Sequence, residues 1–307
     1  MVDSSSSMST SSVTTPPSPF RASILQGKVA LITGGATGIG FEIATQLAAH
    51  GACISLMGRR AHVLEAAVSS LEKAGFQAIG LQGDVRKKED ANRVVEETVQ
   101  RFGRLDILVN NAAGNFLVVA EDLSPNGFRT VLDIDAVGTF TMCHAALKYL
   151  KRGGIGRDPS ESGLIINITA TLHYTAQWYQ IHVSAAKAAV DSLTRSLSLE
   201  WGTDYGIHVN GIAPGPIKDT PGMEKLAPED AGMDQAKRET WGEKWDIALT
   251  AVFLASDAGR HINGTVLAVD NGAWLKKPAP VPRDVIRAVS RTVEMRSRNS
   301  AEARSKL

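Results

Sequence analysis

The run Val29-Ala30-Leu31-Ile32-Thr33 passes directly into Gly34-Gly35-Ala36-Thr37-Gly38-Ile39-Gly40, and helical periodicity follows from Ile39 to His50. A short, continuously apolar run of this kind reads as a parallel strand buried on both faces. Glycines at its end let the backbone turn sharply and let a ligand approach closely. The helix that opens next presents free N–H groups and the positive end of its dipole. A glycine cluster alone also serves ordinary tight turns. Strand, glycines and helix in this order instead describe a pyrophosphate cradle, with Gly34, Gly35, Ala36, Thr37, Gly38, Ile39 and Gly40 as its residues.

The same alternation continues along the chain. Strand patterns fall at 53–57, 78–81, 105–109, 164–168, 207–212 and 266–269, with helical patterns at 61–74, 88–102, 128–150 and 183–201 between them. Repeated strand–helix–strand units with right-handed crossovers predict one Rossmann-type, doubly wound, seven-stranded parallel sheet in a single domain. Ligands of such sheets bind beyond the carboxyl ends of the strands, where the strand order reverses. That places the site just after Thr33, Met57, Asp84, Val109, Ile168 and Ile212.

Charge and cysteine content narrow the function classes. With 33 Lys and Arg against 32 Asp and Glu, the chain carries no field to attract nucleic acid or an anionic membrane. No apolar run approaches the ~20 residues of a membrane span. Cys53 and Cys143 stand apart without a partner motif, so neither a disulfide framework nor a metal site is expected. Residues 1–23 begin with a Ser/Thr/Pro-rich stretch that reads as a disordered arm, and residues 24–275 form the expected domain. Residues 276–307 make a basic tail ending Ser305-Lys306-Leu307. In a eukaryotic protein, that tripeptide at a free C-terminus is an address read by the peroxisomal import receptor.

The second strand pattern ends Met57-Gly58-Arg59-Arg60, with no acid to hold a ribose 2′-hydroxyl and two arginines suited to a 2′-phosphate. NADP(H) is therefore the expected cofactor. The plainer alternative is a solvated basic turn. Asp84, followed by Val85, stands after the third strand, where a carboxylate reaches an adenine amino group.

The glycine pattern, Asn110-Asn111-Ala112-Ala113-Gly114, Lys187 on a late helix and Pro214-Gly215 after the sixth strand together resemble the short-chain dehydrogenase/reductase family, from about Gly27 to Trp274. The resemblance implies that the Asn110 region borders the cofactor and that Pro214, Gly215, Pro216, Ile217 and Thr220 wrap its nicotinamide. It also exposes a departure. The family's tyrosine, four residues before the lysine, is replaced by Val183, and its usual serine position falls on Ala170. A carbonyl reductase of this family would lack its general acid.

Asn115-Phe116, the stretch Asp133–Phe140, Ile168-Thr169-Ala170-Thr171-Leu172, Gln180-Ile181-His182 and Pro214-Gly215-Pro216-Ile217 are similar to the peroxisomal 2,4-dienoyl-CoA reductase branch, which also lacks the tyrosine. That likeness implies NADPH-dependent reduction of a 2,4-dienoyl-CoA thioester to a 3-enoyl-CoA in the peroxisomal matrix, within β-oxidation of unsaturated fatty acids. Asp135 and Lys187 are the implied catalytic pair, holding a water that delivers a proton, with Lys187 also binding the nicotinamide ribose. For Asp135 the plain alternative is a surface or capping acid. Phe116, Ser124 and Asn126 are implied to hold the acyl chain and CoA arm, Arg60 and Arg86 to meet CoA phosphates, and His182 to line the thioester pocket. Surface ion pairing and ordinary packing are the plain alternatives for the arginines and for His182. Relatives in the family carry a longer segment before the helix at Trp245, so the stretch around Arg238–Gly242 reads as a shortened lid. Family members associate through the two long helices, so a homo-oligomer is expected. The competing functions are an enoyl-CoA or 3-oxoacyl-CoA reductase of the same family, and a catalytically silent NADP-binding scaffold.

Overall fold

The computed structural model describes residues 17–226, 240–276, 282–283 and 285–287. Seven parallel strands run in the order β3-β2-β1-β4-β5-β6-β7: β1 Val29–Thr33, β2 Cys53–Gly58, β3 Ala78–Gln82, β4 Ile107–Asn110, β5 Leu164–Ile168, β6 His208–Pro214 and β7 Val266–Val269. The order reverses between β1 and β4, where Ile32 pairs with Val109. The expected sheet is therefore present, and its crevice lies beyond Thr33 and Asn110.

Helices α1 (Gly38–Ala49), α2 (Ala61–Lys73), α3 (Lys88–Phe102), α4 (Pro125–Leu132), α5 (Gly138–Leu150), α6 (Ile181–Tyr205), α7 (Pro221–Leu226) and α8 (Lys244–Ala255) cover the sheet. Period two still operates although both faces are buried. Ala30 and Ile32 pack in one core with Ile43 and Leu47 of α1 and Ile247 and Ala251 of α8. Leu31 and Leu108 pack in the other with Val94 and Val95 of α3 and Met142 and Ala146 of α5.

The single helix expected at 128–150 is interrupted. Asp133–Val137 forms a π turn between α4 and α5. Such turns carry one extra residue per turn and bulge the helix locally. The apolar periodicity continues through it, which is why sequence reading alone passes over it. The arm expected to end at residue 23 gives way earlier: the Ser18 hydroxyl lies 2.8 Å from His50 Nε2, and Phe20 packs edge-on against the His50 ring. An apolar ring and a hydroxyl placed at the edge of the α1 core suffice to anchor those residues.

Residues up to Trp274 form one compact unit; Leu275 onward forms a second, of which a short helical stretch around Val285–Arg287 is described. The expected address at Ser305-Lys306-Leu307 lies outside the described residues, as do Arg238 and Glu239 of the expected lid. Among the described residues no helix is long and apolar enough to cross a membrane.

Candidate active site

The crevice at the sheet's switch point holds a cleft of about 560 Å³. It is lined by Gly34, Ala36, Thr37, Gly38 and Ile39 from the first turn, Arg59 and Arg60 after β2, and Asp84 and Val85 after β3. Gly34 and Gly38 adopt φ of +61° and +57°, the left-handed region that favours glycine. A Cβ on Gly34 would meet Ala112 Cα at 3.1 Å. Gly35 and Gly40 act differently. Their added Cβ atoms would strike Leu56 and Asn111, so these two glycines bring helix, strand and loop together and do not face the cleft.

Asn111 ties the cradle shut, its Nδ2 donating to Thr33 O and Gly34 O at 3.1 Å each. Asn110 faces inward, donating to Asn167 Oδ1 at 2.9 Å and to Cys143 Sγ at 3.2 Å. The cleft wall is therefore Asn111-Ala112-Ala113 and not the Asn110 side chain. The consecutive asparagines fall on opposite sides of an extended chain, and only β4's register decides which one turns outward.

The basic residues divide. Arg59 and Arg60 are exposed at the cleft, and neither forms an ion pair among the described residues. Arg86 is engaged by Asp84: its Nε donates to both carboxylate oxygens and its Nη2 to Oδ2 at 2.5 Å. That guanidinium holds the Asp84 carboxyl below its ordinary range. The structure thus gives Arg86 a local partner instead of placing it in the cleft, as its short tether to Asp84 dictates.

Of the stretch after β6, Thr220 lines the cleft beside Pro221 and Gly222, while Pro214, Gly215, Pro216 and Ile217 do not. Ile217 is buried and bridges to Gly242, where Gly242 N donates to Pro216 O and Lys218 N to Gly242 O, each at 3.0 Å. A Cβ at Gly242 would meet Ile217 Cδ1 at 2.9 Å, so the two segments approach closely there. The stretch is thereby pinned at Ile217, while Pro216 is exposed.

The π turn carries Asp135, the residue expected to be catalytic. It swings Asp135 fully out of solvent, at 0% exposure, which excludes the surface-acid reading. Oδ1 accepts from Gly114 N at 2.7 Å. Oδ2 faces Lys187 Nζ at 3.1 Å, yet accepts no well-directed hydrogen bond. Lys187, on α6, donates to Ile168 O at 3.0 Å, at the end of β5. An ammonium has three N–H groups, so at least one remains for a ligand. Val183 is 2% exposed, packed against Val131, Ala186 and Leu172. The position where the family places its phenol is thus occupied by hydrocarbon.

Phe116 lies tilted over the His182 ring, centroids 4.3 Å apart, and its far edge reaches the Gly127 position of α4. Ser124 caps α4, accepting from Gly127 N at 3.0 Å, and the Asn126 carbonyl accepts from the Thr130 hydroxyl. Phe116, Ser124, Asn126 and His182 therefore gather around one end of α4. Asn115, which contacts Gln180 at 2.8 Å and lines the cleft, belongs with them, although no charge or glycine marks it in the sequence.

A glycine-cradled crevice and a buried acid–lysine pair define a dinucleotide-binding oxidoreductase of the parallel-sheet class. The chain matches the family described as Enoyl-(Acyl carrier protein) reductase over residues 34–273 and belongs to the short-chain dehydrogenase/reductase family. It is 64% identical over 287 residues to the peroxisomal 2,4-dienoyl-CoA reductase [(3E)-enoyl-CoA-producing] of Arabidopsis thaliana, covering 92% of this chain and 96% of that one. The protein of the same description from Danio rerio is 41% identical over 86% of this chain and 87% of its own. A solved short chain dehydrogenase from Burkholderia cenocepacia, in complex with NADP, superposes with a TM-score of 0.71 at 32% identity, covering 81% of this chain and 98% of that one.

Proposed function

We propose that the protein reduces 2,4-dienoyl-CoA thioesters to 3-enoyl-CoA with NADPH, in the peroxisomal matrix. The observation that carries this reading is the buried Asp135–Lys187 pair, left with an under-used carboxylate oxygen where no phenol is available.

The cradle suits NADP(H). Gly34 and Gly38 leave room for a pyrophosphate at the start of α1, and the exposed guanidiniums of Arg59 and Arg60, which form no ion pair among the described residues, suit a 2′-phosphate. Bound there, NADPH supplies a hydride to C5 of the conjugated thioester, which moves charge onto the thioester oxygen. The protein's own task is then to hold that negative charge and to protonate C2, leaving the double bond at C3. Lys187 places a positive charge at the end of β5, and its free N–H is available to the nicotinamide ribose. Asp135 Oδ2 is oriented by Lys187 and can hold a water against the substrate. Proton delivery to carbon does not need a phenol beside an alkoxide, so Val183 is compatible with this chemistry.

A 3-oxoacyl-CoA reductase is the less favoured reading, because Val183 fills the general-acid position with packed hydrocarbon. An enoyl-CoA reductase and a silent NADP-binding scaffold are tested alongside it. Phe116, Ser124, Asn126 and Arg60 are assigned to the acyl-CoA, and Asp84 and Val85 to the adenine end of the cofactor. Val137, Phe140 and Leu199 leave apolar side chains exposed around α5 and α6, which supports pairing of subunits through those helices. The import receptor is assigned to Ser305-Lys306-Leu307. Purified protein with NADPH and 2,4-hexadienoyl-CoA is expected to consume cofactor and yield 3-hexenoyl-CoA. Turnover of 3-oxoacyl-CoA alone, 2-hexenoyl-CoA as the product, or NADPH binding without any turnover would reject it.

A further inference from the structure

His182 is 0% exposed, and neither ring nitrogen has a well-directed hydrogen-bond partner, the Phe116 backbone acting on the ring only off that geometry. An imidazole carries one donor and one acceptor when neutral. Burying both without well-directed partners is costly. A folded chain keeps such a group when it is satisfied by something other than protein. Its position is specific: the ring lies against Phe116, one residue before the Val183 that replaces the phenol, and close enough to Asp135 for that carboxylate to act on its charge. The loop around it is held in place, with Val118 N donating to Tyr179 O at 3.1 Å and Tyr179 at φ +63°. Strained backbone persists only where surrounding structure over-determines it, and it concentrates at functional sites.

We propose that His182 is the hydrogen-bond donor to the thioester oxygen, taking over the charge-stabilising role that the absent phenol would have played. This assignment rests on the dienoyl-CoA reading and names the group that receives the charge generated by reduction. Burial holds the imidazole below its ordinary pKa, against the opposing pulls of Asp135 and the Phe116 backbone, which favours the neutral ring with its single N–H. A neutral donor fits the demand, because charge develops on the oxygen only as hydride arrives. A donor fixed in advance by stacking costs no reorganisation at that moment. Phe116 then has a second role, holding the ring plane, and acts as a positioning residue.

Two variants of the full-length protein test this. His182→Phe keeps the stacked ring and removes both nitrogens; His182→Gln retains a donor. With NADPH and 2,4-hexadienoyl-CoA, His182→Phe is expected to lower kcat by about 10²- to 10³-fold, the usual effect of deleting one such donor. NADPH affinity should be unchanged, and His182→Gln should recover at least tenfold of the loss. A second readout does not depend on turnover. In the dead-end complex of wild-type protein, NADP⁺ and 2,4-hexadienoyl-CoA, polarisation of the thioester carbonyl should shift the dienoyl absorbance to longer wavelength, and His182→Phe should abolish that shift. His182→Phe within threefold of wild type, or a shift that survives it, overturns the assignment while the dienoyl-CoA reading stands. If His182→Phe fails to fold, His182→Gln decides: a retained shift supports a donor role, and a lost one overturns it. Absence of dienoyl-CoA turnover in the wild type overturns both.

Discussion

Asp106 and Asp135 are both buried, at opposite ends of the same sheet, and their surroundings differ in kind. Asp106 precedes β4 at the amino end of the strands. Its Oδ2 accepts from Val29 N at 2.9 Å and Arg104 Nε at 2.8 Å; its Oδ1 accepts from Arg104 Nη2 and Arg157 Nη1, both at 2.6 Å. Every acceptor direction in use is filled, and the Arg157 side chain is as buried as its partner. Asp135, beyond the carboxyl ends, accepts one hydrogen bond from Gly114 N and leaves Oδ2 facing an ammonium off its bonding direction. A saturated carboxylate holds the fold together. An under-saturated one, beside a lysine and a cleft, is arranged for a ligand or a proton.

The comparison breaks most visibly in stability. Asp106→Ala should cost about 3–5 kcal/mol, because it strands a buried Arg157. Urea unfolding reads this directly, and NADPH affinity of the folded fraction should be unaffected; a loss under 1 kcal/mol would mean that the arginine is rehydrated and that the saturated cluster is not structural. At the other end of the sheet, Arg59→Ala should weaken NADPH binding about tenfold to a hundredfold and leave NADH binding nearly unchanged, as expected for loss of a charge-assisted phosphate contact. Equal affinities before and after would make Arg59 a solvated turn residue.

A smaller effect follows from two histidines. Burial, the largest cause for each, holds the His182 and His208 rings below their ordinary pKa, and Arg152 and His261 push His208 further down. As pH falls through the ordinary histidine value of ~6.5, the unfolded chain binds protons that the folded one refuses, so stability falls. The denaturation midpoint should be lower at pH 5.5 than at pH 8, and His208→Gln should narrow the difference. The depressed Asp84 carboxyl acts in the same direction, at lower pH. Its contribution is present above the ordinary carboxylate value and is lost as pH falls through its lower folded value, outside this window.

The distinction between the two ends of the sheet is only partly written in sequence. All seven strands were legible, because buried parallel strands read as short apolar runs between glycines and helices. The glycine cradle and Arg59 and Arg60 were legible from motif and position, whereas Val183 and the pairing of Asp135 with Lys187 were expected only through the family resemblance. The division of labour within motifs was not. Gly34 and Gly38 face the cleft while Gly35 and Gly40 pack, and Asn111 faces outward while Asn110 turns in; both follow from backbone dihedrals and strand register. The π turn that buries Asp135 was invisible, because one extra residue in a helical turn leaves the apolar pattern almost intact. Arg86 looked available for a phosphate until its neighbour Asp84 was seen to hold it.

The central claim is that the under-saturated carboxylate does the chemistry and the saturated one does not. Asp135→Asn tests it most directly, since it keeps the shape and removes the charge. The account predicts dienoyl-CoA turnover reduced at least a hundredfold, in line with loss of a positioned proton-transfer group, with NADPH affinity within about threefold of wild type. Turnover within threefold of wild type, or loss of NADPH binding along with activity, would contradict it and make Asp135 a structural residue like Asp106.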